Sequence, residues 1–145
     1  VRVGGYRVGG FQLAGMCAAG RGWQPGYVEL RCLIVDDSLR FLEAARRLLE
    51  LQSVRVVGTA GTGERALELA AELRPDVALV DVGLGEESGF DVARRLGAVP
   101  VIMISTRDAD DLGQLVEESP AVGFLPKARL SGPAIRALLS GSRGA

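Results

Sequence analysis

Apolar runs in this chain end repeatedly in side chains that can bind a hard cation or move a phosphoryl group. Asp36 and Asp37 follow Cys32–Val35, Asp81 follows Val77–Val80, Ser105 and Thr106 follow Val101–Ile104, and Pro126 and Lys127 follow Val122–Leu125. Carboxylates gathered on one edge repel one another unless a cation joins them, and Mg²⁺ (or Mn²⁺) takes carboxylate oxygens and water in octahedral geometry. An ionised oxygen of Asp81 is then a nucleophile toward phosphorus. A bound metal and Lys127 neutralise charge on the transferring oxygens, and Ser105 or Thr106 can donate a hydrogen bond to them. Taken singly, each residue reads better as a loop or helix cap, because Asp and Ser are common N-caps. A whole set of strand ends with complementary chemistry does not. The chain has no histidine, which removes Ser-His and Cys-His pairs, imidazole metal sites and phosphohistidine carriers. Phosphoryl chemistry here has to use carboxylates.

These groups meet only if the runs that carry them are parallel strands with their carboxyl ends on one rim. The runs Cys32–Val35, Val54–Thr59, Val77–Val80, Val101–Ile104 and Val122–Leu125 have the length and composition of buried strands. Helical patterns separate them. Leu39, Leu42, Ala45, Leu48 and Leu49 follow an N-cap at Ser38, and Ala66, Leu67, Leu69, Ala70 and Leu73 follow a glycine turn. Phe90, Val92, Ala93 and Leu96 predict a third helix, Asp110–Glu118 a more polar fourth, and Ile135, Leu138 and Leu139 a fifth that begins near Ser131 and stops at Gly141. The alternation predicts an α/β fold, a (βα)₅ doubly wound parallel sheet. Right-handed crossovers would bring all the strand ends to one edge, where open sheets bind ligands.

With 145 residues and 48% hydrophobic content the chain has room for one core. Residues 1–28 are broken by glycines without an apolar period and are expected to be a disordered extension or a mis-assigned start. The folded domain is expected over 29–141, with 142–145 a short tail. Acidic and basic residues balance, 18 against 17, so the net field favours neither nucleic acid nor an anionic membrane. Cys17 and Cys32 form no disulfide framework or zinc set, and Phe11–Ala19 is too short and glycine-broken for a signal core. The expected location is cytoplasmic.

The segments Leu33-Ile34-Val35-Asp36-Asp37-Ser38, Pro75-Asp76-Val77-Ala78-Leu79-Val80-Asp81-Val82, Pro100-Val101-Ile102-Met103-Ile104-Ser105 and Gly123-Phe124-Leu125-Pro126-Lys127 resemble the signature blocks of bacterial two-component response-regulator receiver domains. The resemblance implies a flavodoxin-like sheet of order 2-1-3-4-5, as in chemotaxis receivers. It implies that Asp81 is the phosphoacceptor, with Asp37 a direct Mg²⁺ ligand, Asp36 a ligand through water, and the Gly83 backbone carbonyl a further ligand. Ser105 matches the switch hydroxyl, Phe124 the aromatic side chain whose rotamer follows it, and Lys127 the lysine that bonds the phosphoryl oxygens. Core packing on strand five explains Phe124 as well. Partners implied are a sensor histidine kinase or phosphotransfer protein, and an unknown downstream protein. The chain departs from the pattern at Gly85, where many relatives carry proline, and at Ala128, where many have a cis proline after the lysine; the loop after Lys127 is therefore expected to be arranged differently. Gly83 and Arg107 match positions that line the route of hydrolytic water.

Other readings compete. Gly61-Thr62-Gly63-Glu64-Arg65-Ala66 fits a dinucleotide-binding glycine pattern, but it follows the second strand and leaves Asp36, Asp37 and Lys127 without roles. An aspartyl-phosphate phosphohydrolase would need a second acid two residues after its nucleophile, where Asp81 is followed by Val82 and Gly83. A pseudo-receiver that only docks partners would be marked by loss of Asp81 or Lys127. Few residues follow Lys127 and the last helix needs them, so output is expected through protein contacts, without nucleic-acid binding by the domain itself. Asp108, Asp110, Asp111, Glu117 and Glu118 against Arg136 and Arg143 allow a phosphorylation-dependent homodimer.

Overall fold

Apolar runs flanked by amphipathic stretches fold as their spacing predicts in the computed structural model, which describes residues 29–106 and 117–144. The order is β1 (Leu30–Val35), α1 (Leu39–Leu51), β2 (Val54–Ala60), α2 (Gly63–Leu73), β3 (Val77–Asp81), α3 (Gly89–Leu96), β4 (Val101–Ser105), β5 (Gly123–Pro126) and a C-terminal helix (Gly132–Gly144). A short antiparallel ribbon, Gly83–Leu84 with Glu87–Ser88, sits between β3 and α3, and a single 3₁₀ turn spans Lys127–Arg129. The sheet runs β2-β1-β3-β4-β5 with every neighbouring pair parallel. This is the expected 2-1-3-4-5 order of a doubly wound, flavodoxin-like sheet.

Successive strand residues point to opposite faces, and helices cover both, which is why the strands read as unbroken apolar runs. One face carries Leu33, Val35, Ala78, Val80 and Met103 against Ala66, Leu69 and Ala70 of α2 and Phe90, Val92, Ala93 and Leu96 of α3. The other carries Ile34, Val56, Leu79, Ile102 and Ile104 against Leu42, Ala45 and Leu49 of α1 and Ile135 of the C-terminal helix. Cys32 belongs to this second core, and burial pushes its thiol up to about 12, so it packs as a small hydrophobe.

Side-chain caps start the helices where the strands end. The Ser38, Thr62 and Ser88 hydroxyls each accept a backbone N–H of the first turn at 3.2 Å, from Phe41, Arg65 and Phe90 respectively. Each such cap stabilises by about 1 kcal/mol. Pro126 lies on β5, an edge strand that pairs with β4 only, where its missing N–H costs nothing.

The last helix differs from expectation. It continues through Gly141 to Gly144. Nothing lies within contact of a Cβ built at Gly141, so no turn or close approach demands a stop there, and the propensity penalty of about 1 kcal/mol does not end the helix. Of the polar fourth helix expected over Asp110–Glu118, Glu117 and Glu118 are helical, while 107–116 fall outside the described residues. Among the described residues, no helix is long and apolar enough to cross a membrane.

Candidate functional site

β1 and β3 are neighbours in the sheet, so Asp36 and Asp37 just beyond one and Asp81 at the end of the other arrive together. One carboxylate oxygen from each of Asp36, Asp37 and Asp81 lies within 4.8 Å of the others. Asp36 is fully buried. Its N–H donates to the Ala60 carbonyl at 2.9 Å, and its Oδ1 accepts the Ser38 N–H at 2.8 Å. These bonds tie the end of β1 to β2 and to the start of α1. Asp37 is exposed at the mouth.

Lys127 enters from the far edge of the sheet, and its ammonium sits 2.5 Å from Asp36 Oδ2 and 3.7 Å from Asp81 Oδ1. The shorter contact is out of line for a hydrogen bond, so Asp36 Oδ2 is a buried acceptor with charge nearby but no directed donor. Burial, reinforced by the charges of Asp36 and Asp37 and opposed by Lys127, pushes the Asp81 carboxyl up to about 6. One ammonium among three carboxylates leaves two negative charges, which one divalent cation would balance. An undonated buried oxygen and a carboxyl held above its ordinary range are the features a hard cation relieves, so this donor set fits such an ion.

Tight backbone packing fixes Asp81. The Val82 N–H donates to the Ile104 carbonyl at 2.9 Å, and the Gly89 N–H donates to the Val82 carbonyl at 2.7 Å. A Cβ built at Gly89 would lie 1.9 Å from the Asp81 carbonyl oxygen, so only glycine lets the start of α3 come this close. Between them the ribbon turns at Gly85, whose φ is +63°, and a Cβ there would stand 3.7 Å from Asp37 Oδ2. Proline, locked near φ −65° or so, cannot adopt that turn, which explains the departure seen in the sequence. Gly83 pairs with Ser88 on this ribbon and is exposed at the rim.

Glu87 anchors the ribbon to α2. Its Oε2 accepts the Gly63 N–H at 2.9 Å, and a Cβ at Gly63 would collide with Glu87 Oε1 at 2.5 Å and Val92 Cγ2 at 2.7 Å. The glycine pattern that resembled a dinucleotide loop therefore receives the chain's own carboxylate where a phosphate would have to bind. Ser105 is nearly buried at the end of β4, in register with Pro126 and so beside Lys127. Phe124, on β5 opposite Met103, is partly buried against the α2–α3 face of the core. Ala128 lies within the 3₁₀ turn, whereas Arg107 is outside the described residues.

The structure thus brings together Asp36, Asp37, Asp81 and Lys127, with Ser105 adjacent. Sequence reasoning missed Gly89 and Glu87. For Gly89 the available signal was a glycine directly before a helical pattern, without a turn to require it.

Comparison with known proteins agrees with this fold. The family model described as the response regulator receiver domain matches residues 32–137. The chain is 34% identical over 103 residues to a protein-glutamate methylesterase/protein-glutamine glutaminase from Pseudoalteromonas atlantica, covering 67% of this chain and 27% of that protein. It is 40% identical over 89 residues to the transcriptional regulatory protein KdpE of Mycobacterium tuberculosis, covering 59% of this chain and 39% of that one. The chain therefore spans less than half the length of these curated relatives. Among solved structures it is similar to the signal receiver domain of NarL from Mycobacterium tuberculosis, with a TM-score of 0.67 and 33% identity over 81% of this chain and 98% of that one. The response regulator domain of Thermotoga maritima CheB superposes with a TM-score of 0.59 at 27% identity, covering 80% of this chain and 95% of that one. Family match, sheet order and the acidic rim with its lysine agree, and the chain belongs to the receiver domain family of two-component response regulators.

Proposed function

We propose that Asp81 accepts a phosphoryl group from a phosphohistidine of a sensor kinase or phosphotransfer protein, in a metal-dependent phosphorelay. The observation that carries this reading is the meeting of Asp36, Asp37, Asp81 and Lys127 at one rim of the sheet. An Asp81 carboxylate oxygen attacks phosphorus, the phosphorus–nitrogen bond of the donor breaks, the imidazole takes up a proton, and an acyl phosphate forms on Asp81. Lys127 exchanges its contact with Asp36 for the phosphoryl oxygens, and the Ser105 hydroxyl donates to them. Asp36, Asp37 and Asp81, with the Gly83 carbonyl, would hold Mg²⁺ or Mn²⁺, which when bound neutralises charge on the transferring oxygens.

In this reading the domain assists only its own phosphorylation and dephosphorylation and turns over no separate substrate. Its output passes through protein contacts on the β5 side, with Ser105 and Phe124 as the responding pair, and a phosphorylation-dependent homodimer is one form of that output. The setting is cytoplasmic.

Intact mass after treatment with a small phosphodonor and Mg²⁺ tests the assignment. Wild type is expected to gain one phosphate and Asp81→Asn none; an adduct that persists in the variant would overturn it.

A further inference from the structure

The Lys127 ammonium has a neighbour besides the carboxylates: it lies over the ring of Phe41, 4.3 Å from the centroid. The placement follows from local structure. Ser38 caps α1 by accepting the Phe41 N–H at 3.2 Å, which makes Phe41 the third residue of the helix. Side chains on a helix lean toward its N-terminus, and the N-terminus of α1 abuts the ends of the strands. The ring is therefore carried back to the rim while still partly buried against the α1 side of the core.

We propose that Phe41 is a positioning residue for Lys127. Its ring face keeps the ammonium at the rim when the Asp36 carboxylate is engaged by a divalent cation. Without metal, Asp36 at 2.5 Å dominates the placement of the ammonium, and Asp81 is more distant at 3.7 Å. A metal bound to Asp36 removes that anchor and also repels the ammonium. Lysine is a flexible chain, and freed from Asp36 it would sample solvent. The negative face of an aromatic ring attracts an ammonium, yet a strongly hydrated hard cation does not take it as a ligand. The contact with Phe41 consequently survives metal binding, and it holds Lys127 within reach of oxygens arriving at Asp81. A leucine would fill the same apolar space without this attraction, which separates positioning from mere packing.

The inference rests on the proposed role of Lys127, and the test separates the two. Wild type, Lys127→Ala, Phe41→Leu and Phe41→Tyr are compared with Mg²⁺ for phosphorylation rate from phosphoramidate. The Lys127 ε-methylene proton shifts are followed in parallel by NMR, where a ring current from Phe41 moves them upfield. Phe41→Leu is expected to slow phosphorylation by about threefold to tenfold and to abolish the upfield shift, with the amide spectrum still dispersed as in a folded protein. Phe41→Tyr, which keeps a ring in place, restores both. If Lys127→Ala is slow while Phe41→Leu matches wild type, the Phe41 proposal alone falls. A slowed Phe41→Leu that keeps the upfield shift, or one that Phe41→Tyr does not rescue, also overturns it. If Lys127→Ala phosphorylates as wild type does, the role of Lys127 falls and the proposal with it.

Discussion

Asp81→Asn is expected to make the metal-free domain more stable at neutral pH, although it removes the proposed phosphoacceptor. Asp81 carries its carboxyl up from 3.8 to about 6, with burial the leading cause and the charges of Asp36 and Asp37 adding to it. The folded protein then binds this proton more tightly than the unfolded chain does. Stability therefore falls as pH rises from about 4 to about 6, and the loss is complete above that window. A shift of this size corresponds to ~3 kcal/mol as an upper bound, and solvent access at the mouth of the site reduces it, so a gain of about 1–3 kcal/mol is expected for the amide. Urea unfolding followed by circular dichroism, in chelator at about pH 7.5 and again near pH 4, measures the difference between variant and wild type. The gap is expected to be large at the higher pH and to shrink in acid. A variant no more stable than wild type at neutral pH, or a gap indifferent to acid, would refute the argument that Asp81 is held ionised against burial and like charge. Added Mg²⁺ is expected to stabilise wild type more than the variant, narrowing the gap from the other side.

Other expectations follow from the packing behind the site. Gly89→Ala forces a methyl group against the Asp81 carbonyl and is expected to cost about 2–3 kcal/mol, read by urea midpoint, together with slower phosphorylation. Glu87→Ala removes the carboxylate that accepts the Gly63 N–H. A loss of about 1 kcal/mol is expected, with weaker Mg²⁺ binding in calorimetry because the ribbon carrying Gly83 loses its tie to α2; unchanged affinity would separate the ribbon from the metal site.

Part of the site was legible because its charged side chains follow the ends of strands. Asp36, Asp37, Asp81 and Lys127 each stand where an apolar run stops, and parallel connection brings all such ends to one rim whatever the helices between them contain. Glu87 was not legible, because nothing in Glu-Glu-Ser-Gly marks which carboxylate will reach back to α2. Gly141 looked like a helix stop, yet the helix passes through it, since glycine ends a helix only where the chain must adopt a left-handed turn. The glycines of Gly61-Thr62-Gly63 suggested a phosphate cradle, and Gly63 proved to be a space-saving contact with Glu87 and Val92.

By itself the amino-acid order determined the alternation of strands and helices and the chemical type of each strand end. Both depend on local apolar period and on residue identity, which are properties of neighbouring positions. Tertiary structure decided how the charges share one another: that Lys127 lies nearer Asp36 than Asp81, that Asp81 is pushed upward, that Gly89 must be bare, and that Phe41 faces the lysine. These are contacts between residues remote in sequence. Their distances are set by how closely whole elements pack, and no local pattern encodes that.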